Sequence, residues 1–508
     1  LKSHLINLQG LEFIYEKRLF PELEYIFKHI LTQEVAYNSL LTRRRKEIHE
    51  NIGKAIEEIY TDQLEDFYEM LAYHFLKSEN FEKAVQYLKL SGLKAVEKHS
   101  LVEALSHYKE AKYALDQVPV SKESKKEKLE LILLMTIPLR LLGFPEDSLE
   151  ILKEGESISN ELGDIRSIAI LESRMAIYYN YKGNHTDGLL YAERAFEKAS
   201  KVQDIDLIAP VGLNLCNSYL SSGDFYKMRD MIPGIIKLLE KEKREPDFFN
   251  MPMNVYSAFC AYLGFGMGGL GNFKQGAAFC EKGLHYALQL GDSRSIAYVE
   301  LWYGFFSQAT GEWEIAAEHW KNCIKYSEEI SWVFALGLAW LGLGTAVTHL
   351  GDPQTGIEYI QEGLKIQSSA GVKSNLFWYY CELGNAHFAL GDLKSALDCV
   401  TKALQLALEN NEKQGEGISR ISLGRILAKS DPSQSDKAEE SILKGINFME
   451  ELRIKPYSSQ GYLCLGELYA DIGQKEKAQE NLKKAEGMFK EMGMDYWLAK
   501  TREMFNRL

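Results

Sequence analysis

A glycine-rich stretch over residues 261–276 has the spacing of a phosphate-binding loop. Gly264, Gly266 and Gly269 spell G-x-G-x-x-G. In a dinucleotide-binding fold such glycines follow a strand and open a helix, so that the backbone can approach a pyrophosphate. A P-loop pattern begins in the same stretch, but it fails at Asn272, where a lysine is required. The first question is therefore whether this stretch is a phosphate site or has a structural cause.

Other arrangements of reactive side chains are scarce. The 11 histidines are scattered and form no H-E-x-x-H pair, and no G-x-S-x-G is present. The 7 cysteines are odd in number and none stand in C-x-x-C spacing, which predicts reduced, buried thiols rather than disulfides or a zinc site. We therefore assign no catalytic, metal-binding or cofactor-binding residue, and we expect this chain not to be an enzyme.

Glycines at intervals of about 40 residues reveal an internal repeat. Each precedes a short polar turn: Gly143, Gly183, Gly223, Gly271, Gly311, Gly351, Gly391 and Gly473, with Asp431 filling the gap in the series. A second set lies seven residues before the later members: Gly264, Gly304, Gly344, Gly384, Gly424 and Gly466. Small residues also recur five and twelve positions after most of the turns. This regularity predicts one structural unit for each period.

The expected unit is a pair of antiparallel helices. The turn glycine ends the first helix, since it adopts left-handed backbone angles at little cost, and the other small residues mark where helices cross closely. Gly264 and Gly271 are then repeat positions preceded by a helix, which argues against a phosphate site. Gly266, Gly268 and Gly269 are not repeat positions, and they predict a kinked or frayed helix end.

The repeats carry the aromatic and small residues of a known family. Residues 380–396 and 462–478 are good copies, and the chain resembles a tetratricopeptide repeat array over about residues 64–508. The resemblance implies an all-α superhelical solenoid whose concave face is lined mainly by the first helices. The unit at Gly223 departs from the pattern, with Met228 and Ile235 at small positions, and we expect it to be distorted together with the insertion at residues 245–253.

One segment could be mistaken for a membrane span. The 22 residues 330–351 contain no Asp, Glu, Lys or Arg, which is long enough to cross a bilayer. The segment includes Gly344 in register, however. We therefore predict a buried first helix of the array and no membrane span.

The first 62 residues do not follow the repeat. Residues 11–16 and 24–28 are strand-like and are joined by a turn at 17–22, and helices follow at about 31–41 and 42–60. Thr42 is expected to cap the second of these helices.

The strings at residues 24–41 and 44–49 resemble the winged-helix end of a STAND-type signalling ATPase. In the bacterial family in question, a class III adenylate/guanylate cyclase and the ATPase come first, and tetratricopeptide repeats follow. No Walker motif or cyclase aspartate pair is found in this sequence, so no functional residue of those domains can be carried over. Because the chain starts at Leu1 rather than Met, we expect any catalytic part to lie upstream.

The resemblance implies a cytoplasmic, non-catalytic sensor and scaffold that regulates an upstream ATPase, in particular a nucleotide cyclase. The alternatives are a free-standing adaptor and the tail of a STAND-type transcription activator. The partner would be a protein or peptide, including the upstream domains of its own chain, or a small hydrophobic effector. The net charge of −13 argues against nucleic acid.

Two sets of residues are candidates for binding. The basic run Arg43, Arg44, Arg45 and Lys46 is either a solvated helix face, a docking patch for the upstream domains, or a DNA contact. In tetratricopeptide repeats the lining residues stand thirteen, ten, six and three positions before the turn residue. By this rule the groove would be lined by Phe265, Tyr298, Phe305, Gln308, Thr345, Trp378, Asn385 and Arg425. That surface would be aromatic and nearly uncharged, unless these side chains pack against the next superhelical turn.

The sequence thus predicts four parts. They are a winged-helix end at 1–62, first helical hairpins at 63–125, the repeat array at 126–494 and a C-terminal capping helix at 495–508.

Overall fold

A computed structural model describes residues 2–18, 24–369 and 375–508. It divides into two compact units, residues 1–162 and residues 163–508. Both consist almost entirely of helices, which confirms the all-α, tetratricopeptide-like class. The four-part division of the chain stays a prediction.

The first unit contains one small hairpin and eight helices among the described residues. In chain order they are α1 (Lys2–Gly10), β1 (Ile14–Arg18), β2 (Glu24–Phe27), α2 (Ile30–Asn38), α3 (Thr42–Ile59), a 3-10 segment (Thr61–Phe67), α4 (Tyr68–Ser78), α5 (Phe81–Glu97), α6 (Leu101–Leu115), α7 (Lys122–Leu141) and α8 (Ser148–Leu162).

The start of this unit has the predicted order of strand, strand, helix and helix. β1 and β2 are antiparallel, with Ile14 opposite Phe27, and residues 19–23 of the predicted turn lie outside the described residues. The prediction for Thr42 is wrong in detail. Leu41 is the N-cap of α3 and Thr42 is already its first helical residue, with no side-chain cap hydrogen bond at this end. The Thr42 hydroxyl instead accepts from the Arg45 guanidinium (Nη2 to Oγ1 3.5 Å).

The second unit contains seventeen helices among its described residues. They are α9 (Ile165–Tyr181), α10 (His185–Val202), α11 (Ile205–Ser222), α12 (Phe225–Glu242), α13 (Val255–Gly269), α14 (Phe273–Leu290), α15 (Ser293–Thr310), α16 (Trp313–Glu329), α17 (Val333–His349), α18 (Pro353–Ser369), α19 (Leu376–Leu390), α20 (Leu393–Glu409), α21 (Lys413–Ser430), α22 (Ser435–Glu451), α23 (Lys455–Asp471), α24 (Lys475–Met492) and α25 (Asp495–Phe505).

The predicted turn glycines separate the two helices of each hairpin. All eight have positive φ, from 71° at Gly143 to 103° at Gly351, which is the left-handed conformation that a helix C-terminus favours for glycine. At Asp431 the turn differs, because the residue is extended and a short 3-10 segment follows. A second glycine series is predicted to end the second helices, at Gly163, Gly291, Gly371 and Gly493. Gly163, Gly291 and Gly493 have positive φ, and Gly371 lies outside the described residues.

The glycines seven residues earlier mark the predicted close crossing of the two helices. A Cβ on Gly344 would lie 2.6 Å from the carbonyl oxygen of Gly356 and 2.7 Å from the Ile360 side chain. Any residue larger than glycine would therefore push α17 and α18 apart. The small residues are thus a packing requirement of the hairpin.

Residues 261–269 of the glycine-rich stretch lie in α13, a continuous helix with every residue buried. The predicted kink or frayed end is absent. A Cβ on Gly268 would lie 2.8 Å from the Phe306 ring, and one on Gly269 would overlap the ring of Phe225. The extra glycines therefore make room for aromatic rings from neighbouring helices. A helix rather than a strand precedes the turn at Gly271, unlike the arrangement of a dinucleotide-binding loop.

Two further predictions concern the helices of the array. Among the described residues, no helix has the length and apolarity needed to cross a membrane, and the uncharged segment at 330–351 forms mainly α17. In the unit at Gly223, α11 and α12 are both continuous helices of 18 residues. The departure from the pattern lies in the longer loop at residues 243–254, not in distorted helices.

Replacing Gly344 by Ala should lower the unfolding free energy by about 1–3 kcal/mol, because the new methyl meets backbone atoms that cannot move aside. Gly487, in α24, is a matched control, since a Cβ there would meet nothing within 4 Å. Gly487→Ala should instead stabilise by about 0.5–1 kcal/mol. Urea denaturation followed by circular dichroism measures both, and a tolerated Gly344→Ala would disprove the crossing constraint.

Candidate ligand cavity

The second unit winds back on itself, so that turns of early repeats meet late ones. A Cβ on Gly223 would lie 3.2 Å from the Leu452 side chain, and one on Gly271 would lie 2.6 Å from the sulfur of Met492. These pairs are more than 200 residues apart in sequence. The concave faces of first helices in the early and late repeats are thereby brought towards each other.

An aromatic cluster joins α25 to the turns beside α16 and α17. The rings of Trp313 and His349 are stacked with centroids 3.8 Å apart. The hydroxyl of Tyr496 lies 3.2 Å from Nδ1 of His349, and the ring of Trp497 lies beside both. The C-terminal helix therefore packs against a repeat that lies about 150 residues earlier.

Two adjoining chambers lie between these packed elements. The large chamber has a volume of about 370 Å³ and the small chamber about 30 Å³. Both are lined by Gln308, Thr345, Glu382, Ile418 and Tyr457. The volume of the large chamber is within the range of pockets that bind small molecules.

The predicted groove residues mostly meet here. Seven of the eight line a chamber: Phe265, Phe305 and Trp378 the small one, Asn385 and Arg425 the large one, and Gln308 and Thr345 both. Tyr298 does not; it is buried with its ring 5.9 Å from that of Trp332. The groove is thus lined as expected, but it is also packed against later repeats. The ligand-binding role of these residues stays a prediction.

The large chamber is not the nearly uncharged surface that was expected. The Arg425 guanidinium donates to both carboxylate oxygens of Glu467, at 2.9 and 3.3 Å, and it lies 5.0 Å above the ring of Phe388. The Glu467 carboxylate raises the pKa of Arg425, so this cation is permanently charged. The two-pronged geometry satisfies both groups and leaves little capacity to bind another anion.

A second carboxylate, Glu382, lies where the two chambers join. Its hydrogen-bond donor among the described residues is the Asn385 amide, with Nδ2 at 3.4 Å from Oε2. Burial raises the pKa of Glu382 to about 7. The same carboxylate contributes, after burial, to raising the pKa of Tyr457. Near neutral pH this side chain is therefore divided between its charged and neutral forms.

His349 is a neutral wall residue. Burial is the largest cause that lowers its pKa, to about 3, and the positive charges of Arg425 and Lys500 lower it further. Neutral imidazole suits the stack on Trp313, because a protonated ring would need a counter-charge that the cluster lacks.

The thiols beside the chambers are unreactive. Burial raises the pKa of Cys381 and of Cys464 to about 12, so neither forms the thiolate that nucleophilic attack requires. The lining therefore favours non-covalent binding. All seven cysteines are free thiols.

Several lining residues were missed by the sequence reasoning. Gln460 and Glu467 stand thirteen and six positions before Gly473, so the rule applied to the last repeat would have found them. Glu382 stands nine positions before Gly391, which the rule did not include. Trp497 comes from α25, outside the repeats, and no periodic signal points to it.

Each member of the basic run has a partner within the first unit. Arg43 and Arg44 pair with Glu47, Arg45 lies above the ring of Tyr37, and Lys46 pairs with Glu79. These contacts agree with a solvated helix face, and the docking role stays a prediction.

The first unit also contains a cluster that the sequence reasoning did not detect. One ligand atom each of Glu69, Glu103 and His107 lies within 4.8 Å of the others. Glu103 and His107 are four residues apart on α6, which is the signal that could have found them. Both carboxylates are exposed, an arrangement that is common on protein surfaces without an ion.

Family comparisons identify the repeats. Residues 336–409 and residues 459–490 each match a tetratricopeptide repeat model. No curated protein sequence matches this chain.

Several solved structures are similar to it. A Rap protein complexed with competence and sporulation factor has 13% identity and a TM-score of 0.48, covering 80% of this chain and 98% of that one. The APC/C hetero-tetramer Cut9–Hcn1 has 14% identity and a TM-score of 0.46, covering 93% and 86%. A STAND protein with a tetratricopeptide repeat sensor from Pyrococcus horikoshii has 15% identity and a TM-score of 0.38, covering 87% and 74%.

Acidification should destabilise the protein through His349. Between about pH 6.5 and pH 3 the imidazole is protonated in the unfolded state but neutral in the folded state. The unfolded state therefore binds more protons, and the free energy of unfolding decreases as the pH falls. Between pH 7.5 and 5 the wild type should lose about 2 kcal/mol more than His349→Phe, which keeps a ring on Trp313 without the titration. Urea unfolding at both pH values measures this difference, and equal losses would contradict the assignment.

The pH dependence of stability has the opposite sign for Glu382. Its folded pKa, raised from 4.5 to about 7, means that the carboxyl is neutral more often in the folded state, so stability falls as pH rises across this window. Glu382→Gln should therefore be more stable than the wild type at pH 8, by about 2–3 kcal/mol, and the gain should vanish below pH 4.5. Glu362→Gln, at an exposed carboxylate, should show no such gain. Denaturation across this pH range decides, and a gain independent of pH would point to another cause.

Proposed function

We propose that this chain is the sensor and scaffold region of a cytoplasmic signalling ATPase, and that an effector bound in the large chamber regulates that ATPase. The single observation that carries the proposal is the cavity of about 370 Å³ between early and late repeats. Tetratricopeptide repeats suit protein binding or sensing, and a chamber of this size admits a small effector or a short peptide rather than a folded domain.

The position of the cavity suggests how binding would be transmitted. Its wall includes Trp313 at the start of α16 and Tyr496 and Trp497 on α25. An effector that touches both sides would favour the packed state of the unit over an opened one. A ligand shifts such an equilibrium only by its different affinity for the two states, and contact with both walls provides that difference.

The N-terminal hairpin and helices support the place of this chain next to an ATPase. β1, β2, α2 and α3 occur in the order that the resemblance to a winged-helix end implies. We propose that a STAND-type ATPase, and upstream of it a nucleotide cyclase, precede these elements. The basic run at residues 43–46 would then be a contact surface for that ATPase.

Reading the coding DNA upstream of Leu1 tests this arrangement directly. A long open frame with a Walker lysine and paired cyclase aspartates is expected. A frame with a DNA-binding domain would instead favour a transcription activator, and a start codon immediately upstream would favour a free-standing adaptor.

The effector role predicts a specific loss on mutation. In a thermal-shift screen with metabolites and short peptides, a binder should stabilise the wild type, and Trp497→Ala should weaken its affinity at least tenfold because a wall of the large chamber is lost. Trp340→Ala is a matched control, since Trp340 is also half-buried but packs on Tyr359 within a hairpin. Isothermal titration of each variant measures the affinities. Equal losses in both variants, or none in either, would contradict binding in the large chamber.

A further inference from the structure

Glu382 differs from the other recessed carboxylates of the second unit. The Glu172 carboxylate is fully buried and pairs with Lys198, with Nζ at 2.8 Å, and that of Glu300 lies 2.6 Å from the His319 imidazole. Among the described residues, Glu382 forms no ion pair and has only the 3.4 Å hydrogen bond from Asn385. Among the described residues this carboxylate thus has no paired cation, although Arg425 and Lys500 line the same large chamber.

Neither cation of the large chamber pairs with Glu382. Arg425 lines the same large chamber, but both of its contacts are made to Glu467. The pKa of Glu382 is affected only by burial and by Asn385, and that of its neighbour Tyr457 by burial, Glu382 and Cys381. No cation contributes to either pKa. Lys500 also lines the large chamber, but its ammonium lies over the Tyr496 ring and 4.0 Å from a Glu503 carboxylate oxygen. The charge partner that Glu382 lacks among the described residues would therefore be supplied by a ligand.

The surroundings favour a cation attached to an apolar body. The rings of Tyr457 and Trp378 line the junction or the small chamber, and aromatic faces attract positive charge. The large chamber adds the apolar side chains of Ile421 and Leu463 beside its polar groups. The small chamber, at about 30 Å³, has room for no more than a short aliphatic group, so the body would lie in the large chamber.

We propose that the cavity binds an organic ammonium group against the Glu382 carboxylate, with the apolar body of the same ligand in the large chamber. The proposal rests on the effector-binding role proposed above and assigns its ligand class. An ammonium group would replace the hydration that the carboxylate loses on burial with a direct charge contact. This contact would lower the free energy of the charged form of Glu382, which burial has raised. The ammonium group could belong to a free amine or to the N-terminus of a short apolar peptide.

Isothermal titration of the full chain at pH 7.5 with matched probes tests the charge requirement. Tryptamine carries the ammonium group, tryptophol replaces it by a neutral hydroxyl, and indole-3-propionate places a negative charge near the same position. The wild type should bind tryptamine at least tenfold more tightly than tryptophol, and indole-3-propionate more weakly than either.

Variants locate the effect. Glu382→Gln should abolish the preference for tryptamine over tryptophol, and Glu362→Gln should leave it unchanged. Glu382→Asp retains the charge one methylene further away, so it should keep a preference of reduced size. Circular dichroism checks that each variant is folded.

A second pair of probes distinguishes the source of the ammonium group. Phenylalanyl-leucine amide with a free N-terminus is compared with its N-acetyl form. Tighter binding of the free peptide than of tryptamine, lost on acetylation, would identify a peptide ligand, and the reverse order would identify a free amine.

The outcomes also separate this proposal from the sensor role. Equal binding of tryptamine and tryptophol, a preference that survives in Glu382→Gln, or no binding of any probe overturns the ammonium proposal. An effector from the screen that depends on Trp497 but not on Glu382 would leave the sensor role standing. If no compound or peptide in the thermal-shift screen stabilised the wild type, the proposed sensor role itself would be contradicted.

Discussion

The close crossing of two helices in each hairpin is the constraint on which the second unit depends. At Gly344 and Gly356 the backbones approach so closely that each Cα faces a carbonyl oxygen of the partner helix. Many atoms of both helices then lie within van der Waals contact, which is where most of the helical stability comes from. A similar approach to a carbonyl oxygen of the partner helix is found at Gly264, Gly384 and Gly424, so these hairpins cross in a similar way.

Repetition of one shape leads to the contacts between distant repeats. Each hairpin is turned by a similar small angle relative to the one before it, so the turn at Gly271 meets Met492 and the turn at Gly311 meets Tyr496. None of these contacts is encoded locally. They follow from the sum of many near-identical steps, and the cavity exists because the first helices do not fill the space that the winding encloses.

The difference between local positions and contacts of distant repeats explains which features the sequence could predict. The turns and crossing positions are local, so the spacing of glycines located them, and the rule for first helices found Phe265, Phe305, Trp378 and other lining residues. The extra glycines in α13 were misjudged, because the rings that need their space come from Phe225 and Phe306 on other helices. The charge of the lining was missed for the same reason. Arg425 was a predicted lining residue, but its pairing with Glu467 and the position of Glu382 between the chambers follow only from the packing of the late repeats over the groove.

Burial of the polar groups of the cavity costs different amounts of free energy. The Arg425–Glu467 pair is compensated by two hydrogen bonds, and His349 avoids the cost by staying neutral. Glu382 has neither solution, and its pKa near 7 records the unfavourable free energy of its charge. A purely structural array would gain stability by replacing that carboxylate with a neutral side chain of the same size. A carboxylate that weakens the empty protein but would strengthen a complex is the arrangement expected where the folded state must respond to a ligand, because only a difference in free energy between the empty and occupied states can be passed on to a neighbouring domain.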